Sequence, residues 1–254
     1  MEFIELAGRA SGGGRIAYEK FSGNGPGVVF LGGFHSDMSG TKASALAAYC
    51  FAAGRRFIRF DYTGHGISSG AFEEGTIGEW AEDAVAVLDE VAEGPQVLVG
   101  SSMGGWIMCL AALARPERVC GLVGVAAAPD FTEDLIWEAL PEGARREIAE
   151  KGSLTRPSEY DEAGYPITMK LIEEGRRHLL LRAPIDIKCP VRLIHGVEDE
   201  SVPWEVSRKL MGMLESEDVS LNLIKGGDHR LSEPADIERL IGTVEMLCVE
   251  LKEG

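Results

Sequence analysis

Val97-Leu98-Val99-Gly100-Ser101-Ser102-Met103-Gly104-Gly105-Trp106 runs from an apolar, β-branched stretch through a small, polar turn into a helix-forming stretch. The short apolar run at 96–100 predicts a buried strand, and the Ala-, Leu- and Met-rich run that follows predicts a helix over 103–114. Ser102 sits midway between Gly100 and Gly104, in the pattern Gly-x-Ser-x-Gly. That spacing predicts a strained strand-to-helix turn, with glycine where two backbones approach too closely for any Cβ. The helix N-terminus then points its dipole and unpaired N–H groups at charge developing beside the serine.

The pattern alone is weak, because the chain has 32 glycines and carries a second copy, Gly66-Ile67-Ser68-Ser69-Gly70. That copy follows a turn-rich stretch and leads into Ala71-Phe72-Glu73-Glu74-Gly75, with neither a strand before it nor a helix after it. Context therefore selects Ser102 as the nucleophile and leaves Ser68 as a loop serine.

Working outward, strands are expected at 15–21, 28–31, 56–60, 119–125, 191–195 and 219–224, and helices at 41–53 and 237–251. Thr76 and Glu79 form a capping box at the start of another helix, and Pro203 marks one more. Strands that alternate with helices and are apolar throughout imply an α/β fold, a mostly parallel sheet with helices on both faces. Between Asp130 and Lys188 the rhythm breaks into helical pattern, prolines and charge, with no core strand. The expected organisation is a core of 1–130 and 189–254, with 131–188 inserted as a helical cap over the carboxyl ends of the strands.

The 254 residues are 45 % apolar and 26 % charged, ordinary for a globular chain of one domain plus an insertion. A net charge of −16 disfavours nucleic acid and anionic membrane surfaces as partners. No apolar run is long enough to span a bilayer. Met1-Glu2-Phe3-Ile4-Glu5 has neither signal-peptide nor Arg-rich transit character. Five scattered cysteines suit core thiols in a reducing compartment rather than disulfides or a metal site. These features set the expectation of a cytoplasmic protein.

A serine nucleophile needs a base held by a carboxylate. His229, in the loop after strand 219–224, is the base candidate, and Asp199, in the loop after strand 191–195, the acid, with Asp130 in reserve. Asp228 is expected to be a turn residue. The oxyanion donors expected are the backbone N–H of Met103 and that of Phe34, in Gly32-Gly33-Phe34-His35. His35 either lines the acyl pocket or is a solvated loop residue. Phe131, Leu135, Ile136, Trp137 and Leu140 suggest an apolar wall for an acyl chain, with Trp137 against substrate. Arg176, Arg177 and His178 suggest a site for an anionic leaving group; both sets are equally compatible with ordinary cap structure. Gly12-Gly13-Gly14 lacks the Lys-Ser/Thr and helix of a phosphate loop and is expected to be a hairpin turn. Neither a cofactor nor a metal is expected, although His195, Asp199 and His229 were weighed as metal ligands.

The elements and motifs together resemble the α/β-hydrolase superfamily across essentially the whole chain. Asp61-Tyr62-Thr63-Gly64-His65-Gly66-Ile67-Ser68 matches its Asp-x-x-Gly-x-Gly-x-Ser turn. Met38-Ser39-Gly40-Thr41-Lys42-Ala43, Arg59-Phe60-Asp61-Tyr62, Ala114-Arg115-Pro116-Glu117, Val202-Pro203-Trp204 and Asp228-His229-Arg230 look more narrowly like its mitochondrial thioesterase and acyl-glucuronide esterase branch. The resemblance implies a Ser102, Asp199, His229 triad that hydrolyses acyl esters or thioesters, small-molecule or lipid-acyl, through an acyl-enzyme. Two departures stand out: Gly32-Gly33 replaces the His-Gly common at the oxyanion loop, and no transit segment is evident. A slow-turnover ligand-binding or receptor protein, or a C–C bond hydrolase, would use the same constellation.

Overall fold

The computed structural model describes residues 1–6, 14–156 and 164–253. The expected turn at Gly12 and Gly13, and Pro157 within the insertion, lie outside these described residues.

The main sheet has eight strands: β1 (Glu2–Leu6), β2 (Gly14–Phe21), β3 (Asn24–Leu31), β4 (Arg55–Phe60), β5 (Gln96–Ser101), β6 (Val119–Val125), β9 (Val191–Gly196) and β10 (Val219–Ile224). Their order across the sheet is β1-β2-β4-β3-β5-β6-β9-β10. Pairing is antiparallel only where β2 meets β1 and β4; from β4 to β10 every neighbour is parallel. β5 is buried along its whole length and β6 everywhere but at Cys120, as continuous apolar runs require when both faces are covered. Edge strand β10 alternates partly buried and exposed positions instead.

On one face α2 (Ile77–Glu90) and α3 (Met103–Ala114) bury Trp80, Trp106, Ile107 and Leu122 in one apolar cluster. On the other, α1 (Thr41–Ala52) and α7 (Pro234–Glu253) bury Leu46, Val99, Val123 and Val244 in a second. α2 starts as its sequence predicts, with the Thr76 hydroxyl accepting from the Glu79 N–H at 3.2 Å. α7 begins at Pro234, earlier than its apolar spacing suggests, because proline is well suited to a first helical turn. α6 (Glu205–Met213) follows Pro203.

Residues 131–188 are not only helical. A π-helical turn at Thr132–Trp137, α4 (Glu142–Lys151) and α5 (Met169–Gly175) accompany an antiparallel hairpin, β7 (Ser153–Arg156) with β8 (Tyr165–Thr168). This hairpin pairs only with itself, apart from the main sheet. Its strands are only four residues long, β7 mostly exposed and β8 part-buried, so they lack the apolar run that announces a core strand.

The turn after β4 is tied down by Asp61. Its carboxylate accepts from the Met38 N–H at 2.7 Å and the Ile67 N–H at 2.9 Å, coupling the loop after β3 to the loop after β4. Gly66 has a φ of +49°, and a Cβ there would lie 2.1 Å from Asp61 Oδ2. Ser68 Oγ donates to the Asp61 carbonyl at 2.6 Å and accepts from the Ala17 N–H at 2.9 Å, the structural role expected of it.

In the same turn His65 is buried edge-on to Trp80 and Phe72, each 5.1 Å away by ring centroids. Its Nδ1 faces the Thr63 carbonyl at 3.2 Å, which can only accept, so Nδ1 carries the hydrogen. Burial pushes its pKa from 6.5 down to about 4. The fold thus holds His65 neutral while the unfolded chain takes up a proton. The associated stability is complete above about pH 6.5 and is lost as pH falls toward 4. Urea unfolding at pH 7 and 4.5 should show a smaller acid loss in His65→Phe than in the unsubstituted chain; equal losses would show that His65 is not responsible.

Candidate active site

Because β3, β5, β6, β9 and β10 run parallel, the loops at their carboxyl ends meet along one edge of the sheet. Backbone hydrogen bonds join these loops: Ser102 N to Val125 O (2.9 Å), Ala128 N to Ser102 O (3.0 Å), Ala126 N to Ile194 O (2.8 Å) and Glu198 N to Gly227 O (2.9 Å). Glycine is obligatory where they touch. A Cβ on Gly104 would lie 2.1 Å from Leu31 O, one on Gly100 2.3 Å from Gly104 O, and one on Gly196 2.2 Å from Gly227 O.

Ser102 stands between β5 and α3 with φ +54° and ψ −119°, a conformation that a non-glycine residue holds only where its surroundings impose it. The structure brings together the three side chains proposed as nucleophile, base and acid. Ser102 Oγ is 3.1 Å from His229 Nε2, and His229 Nδ1 is 2.8 Å from Asp199 Oδ2. With the carboxylate as acceptor, Nδ1 carries the imidazole hydrogen, leaving the Nε2 lone pair toward the serine hydroxyl.

Asp199 is buried, and its other oxygen, Oδ1, accepts from the backbone N–H of Ser201 (2.9 Å) and Val202 (2.8 Å). Burial alone would raise this carboxyl's pKa. Hydrogen bonds from His195 and His229 outweigh it and hold the group well below the usual carboxylate range.

His195 went unassigned in the sequence except as a possible metal ligand. It is fully buried, with Nε2 3.1 Å from Asp199 Oδ2 and 2.9 Å from Val202 O, and Nδ1 2.7 Å from Ser207 Oγ. Val202 O can only accept, so Nε2 carries the hydrogen and Nδ1 accepts from Ser207. Among the described residues no three His, Cys, Asp or Glu side chains converge as metal ligands. The one sequence signal for His195 is its place at the end of an apolar strand, four residues before the acid.

Asp130 does not meet His229. Its buried carboxylate accepts from the Leu180 (2.7 Å) and Leu181 (2.9 Å) N–H groups and from Arg182 (3.2 Å), pinning the chain as it leaves the insertion. Asp228 accepts from the Leu231 N–H at 2.9 Å, a turn contact.

A cavity of about 780 Å³ opens over Ser102 and His229. Gly33, Phe34, His35 and Met103 line it, and a Cβ on Gly33 would lie 3.4 Å from Ser102 Cβ, so the 33–34 backbone borders the nucleophile. Met103 is the first residue of α3, where an N–H has no partner within the helix. His35 lies against the rings of Phe72 (4.7 Å) and Tyr165 (4.9 Å). The insertion contributes Phe131, Leu135, Ile136 and Ile167, together with Tyr165 and Arg156. Lys42 also lines the cavity, its ammonium donating to Arg230 O, and burial lowers its pKa to about 8.

Two expected substrate contacts fall elsewhere. Trp137 does not line the cavity; its ring packs against the guanidinium groups of Arg176 (4.9 Å) and Arg145 (5.6 Å). Leu140 also lies outside it. Phe131, Leu135 and Ile136, the other members of that expected wall, do line it. Arg176, Arg177 and His178 are likewise absent from the lining; Arg176 pairs with Glu133 at 2.7 Å and His178 with Glu174.

Residues 26–162 match the family model described as alpha/beta hydrolase fold. A mouse (Mus musculus) protein named palmitoyl-protein thioesterase ABHD10, mitochondrial, is 47 % identical over 237 residues, covering 93 % of this chain and 80 % of the relative. The solved structure of alpha/beta hydrolase domain-containing protein 10 from mouse superimposes with a TM-score of 0.90 at 45 % identity, over 99 % of this chain and all of that one. The chain is an α/β-hydrolase. A putative hydrolase from Agrobacterium vitis S4 is also similar, with a TM-score of 0.93 at 40 % identity over 97 % of this chain and 98 % of that one.

Fold and kinship make this α/β-hydrolase an enzyme of the serine hydrolase class that cleaves carboxylic esters or thioesters. They also correct the cytoplasmic expectation, because relatives 44 to 47 % identical are named as mitochondrial. The free cysteines behind that expectation, of which Cys50, Cys109 and Cys248 are buried, do not distinguish one compartment from another.

Because Arg176 is committed to Glu133 outside the cavity, Arg176→Ala should change kcat/KM for anionic and neutral esters by the same factor. A loss confined to anionic substrates would restore the leaving-group role.

Proposed function

We propose that Ser102, His229 and Asp199 are the catalytic triad of this hydrolase, and that its acyl group is a long aliphatic chain carried on a thioester or ester. The observation that carries the triad is the unbroken hydrogen-bonded line from Ser102 Oγ through the His229 ring to Asp199 Oδ2, at 3.1 and 2.8 Å.

In the forward step His229 Nε2 takes the hydroxyl proton as Ser102 Oγ attacks the acyl carbonyl. Asp199 stabilises the resulting imidazolium and fixes its tautomer; its own carboxylate stays ionised because its hydrogen-bond donors favour the charged form. The carbonyl oxygen becomes an oxyanion beside the backbone N–H groups of Met103 and Phe34, the donors assigned here. Collapse of the intermediate breaks the bond to the leaving thiol or alcohol, which receives the proton from His229. Water then repeats the sequence on the acyl-Ser102 ester, releasing the acid and restoring the serine.

The apolar lining from Phe131, Leu135, Ile136 and Ile167 supports an aliphatic acyl group, because each methylene removed from water there favours binding. The relatives named palmitoyl-protein thioesterase support a long chain and a thioester. A palmitoylated protein or a smaller lipid-acyl thioester both fit that description.

Labelling with a fluorophosphonate, alongside turnover of p-nitrophenyl esters, tests the assignment. Ser102→Ala should abolish labelling and lower kcat by about 10⁴-fold or more. Asp199→Asn should retain the serine yet lose about 10⁴-fold in kcat, because an amide presents the wrong partner to His229 Nδ1. Undiminished labelling or turnover in Ser102→Ala would overturn the triad.

A further inference from the structure

We infer that a second cleft behind the insertion is the distal part of the acyl site, and that Leu135 is the partition controlling entry to it. The inference rests on the triad proposed above, since it takes the acyl carbonyl to lie at Ser102.

Beside the main cavity of about 780 Å³ lies a second of about 500 Å³, formed between the start of the insertion and α6. Of the residues lining either, Leu135 alone lines both. It is half-buried and borders both spaces, which makes its side chain the partition inferred between them.

The two spaces are also bordered by neighbouring residues of the chain. Ala128 N donates to Ser102 O at 3.0 Å and lines the first cavity; the adjacent Pro129 lines the second. Beyond the partition, Pro129, Leu181, Val206 and Met213 offer apolar surface, while Asp134, Glu205, Arg208 and Lys209 also border the cleft. These walls are fixed before any substrate arrives. Asp130 holds the Leu181 N–H at 2.9 Å, and Met213 O accepts from the Ile185 N–H at 2.7 Å.

The turn that carries Leu135 is itself unusual. Its Glu138 N–H donates to Glu133 O at 2.9 Å, an i to i+5 bond, and such π-helical turns concentrate at functional sites. The main cavity must also house the leaving group as well as the first part of the acyl chain. The occupant assigned to the cleft is therefore the terminal methylenes of a long acyl chain, continuing from the cavity past Leu135.

The readout is the ratio of kcat/KM for p-nitrophenyl palmitate to that for p-nitrophenyl acetate. Gly212 lines the far cleft, and a Cβ there meets no atom within 4 Å, so Gly212→Trp adds bulk to the cleft without a backbone clash. Replacing glycine within α6 also favours the helix. Gly212→Trp should lower the ratio at least tenfold, since each methylene denied burial is worth roughly fourfold. Leu135→Ala should raise the ratio, and Leu135→Trp should lower it.

An unchanged ratio in Gly212→Trp would overturn the inference, because the chain would then end short of the cleft. If Gly212→Trp failed to fold, Val206→Phe, on the same helix α6, would make the same test, with the same deciding outcomes. Failure of the hydrolase assignment is distinguishable, since it would appear as absent acetate turnover in the unsubstituted enzyme.

Discussion

Ser102 occupies a backbone conformation that side chains resist, with φ at +54°, and the rest of the site depends on its being held there. A non-glycine residue in such a region costs about 1–3 kcal/mol. The opposing interactions are local and identifiable. The Ser102 N–H is bonded to Val125 O, its carbonyl accepts from the Ala128 N–H, and α3 starts at the next residue. Gly100, Gly104 and Gly105 then let the helix approach its own strand, the end of β3 and Ala127 so closely that no Cβ would fit. The energy of packing α3 between these neighbours is what keeps the serine in place. Its exposure to the cavity follows from the same geometry, because a relaxed serine could not keep both the strand end and the helix start in register.

The second constraint is electrostatic. Asp199 keeps a negative charge in a buried position, which is unfavourable unless every lone pair finds a donor. Two backbone N–H groups and two histidines supply them. His195 is fully buried and locked by Ser207, so it fixes Asp199 from the side opposite His229. The two histidines thus do different work on the same oxygen. His195 is held from both ring nitrogens, whereas His229 is held through Nδ1 and faces the cavity with Nε2. The contact between Gly196 and Gly227 makes the arrangement possible by bringing the acid and base loops together.

Much of this was legible from residue order because the decisive signals are short-range. Gly100 to Gly104 is a local motif, and Thr76 with Glu79 is a local cap. The placement of His229 and Asp199 after apolar strands required only the rule that parallel strands end on one side. What escaped notice was relational. His195 reads as one more residue of a buried strand, and its bonds to Asp199 and Ser207 become visible only once β9 and α6 are packed. Trp137 and Leu140 belong by residue type to the same expected apolar wall as Phe131, Leu135 and Ile136, and composition does not separate them. The π-helical turn at Thr132–Trp137 carries Leu135 and Ile136 at the cavity while Trp137 stacks on arginines. The β7–β8 hairpin, with two strands of four residues, is too short to leave a pattern.

The insertion and the core divide the work by chemistry. Charged side chains of the insertion are largely paired among themselves or with nearby backbone: Arg176 with Glu133, Arg182 with Asp130 and Asp134, and Arg145 with the carbonyls of Trp137 and Glu138. Such pairs contribute little to stability where they are exposed. Their arrangement nonetheless keeps those charges off the cavity, to which the insertion presents Phe131, Leu135, Ile136 and Ile167, with Tyr165 and a single charged side chain, Arg156. Most polar side chains of the cavity come from the core, Ser36 and Ser232 from its loops and Lys42 from the first turn of α1 among them. An acyl carbonyl at Ser102 therefore stands at the boundary between a polar set that suits the leaving group and reacting atoms, and an apolar set that suits the chain. Substrate orientation is decided by that asymmetry before any catalytic group acts. A chain reversed in the cavity would place methylenes against Lys42 and a polar leaving group against Phe131, and would lose solvation on both sides without compensation.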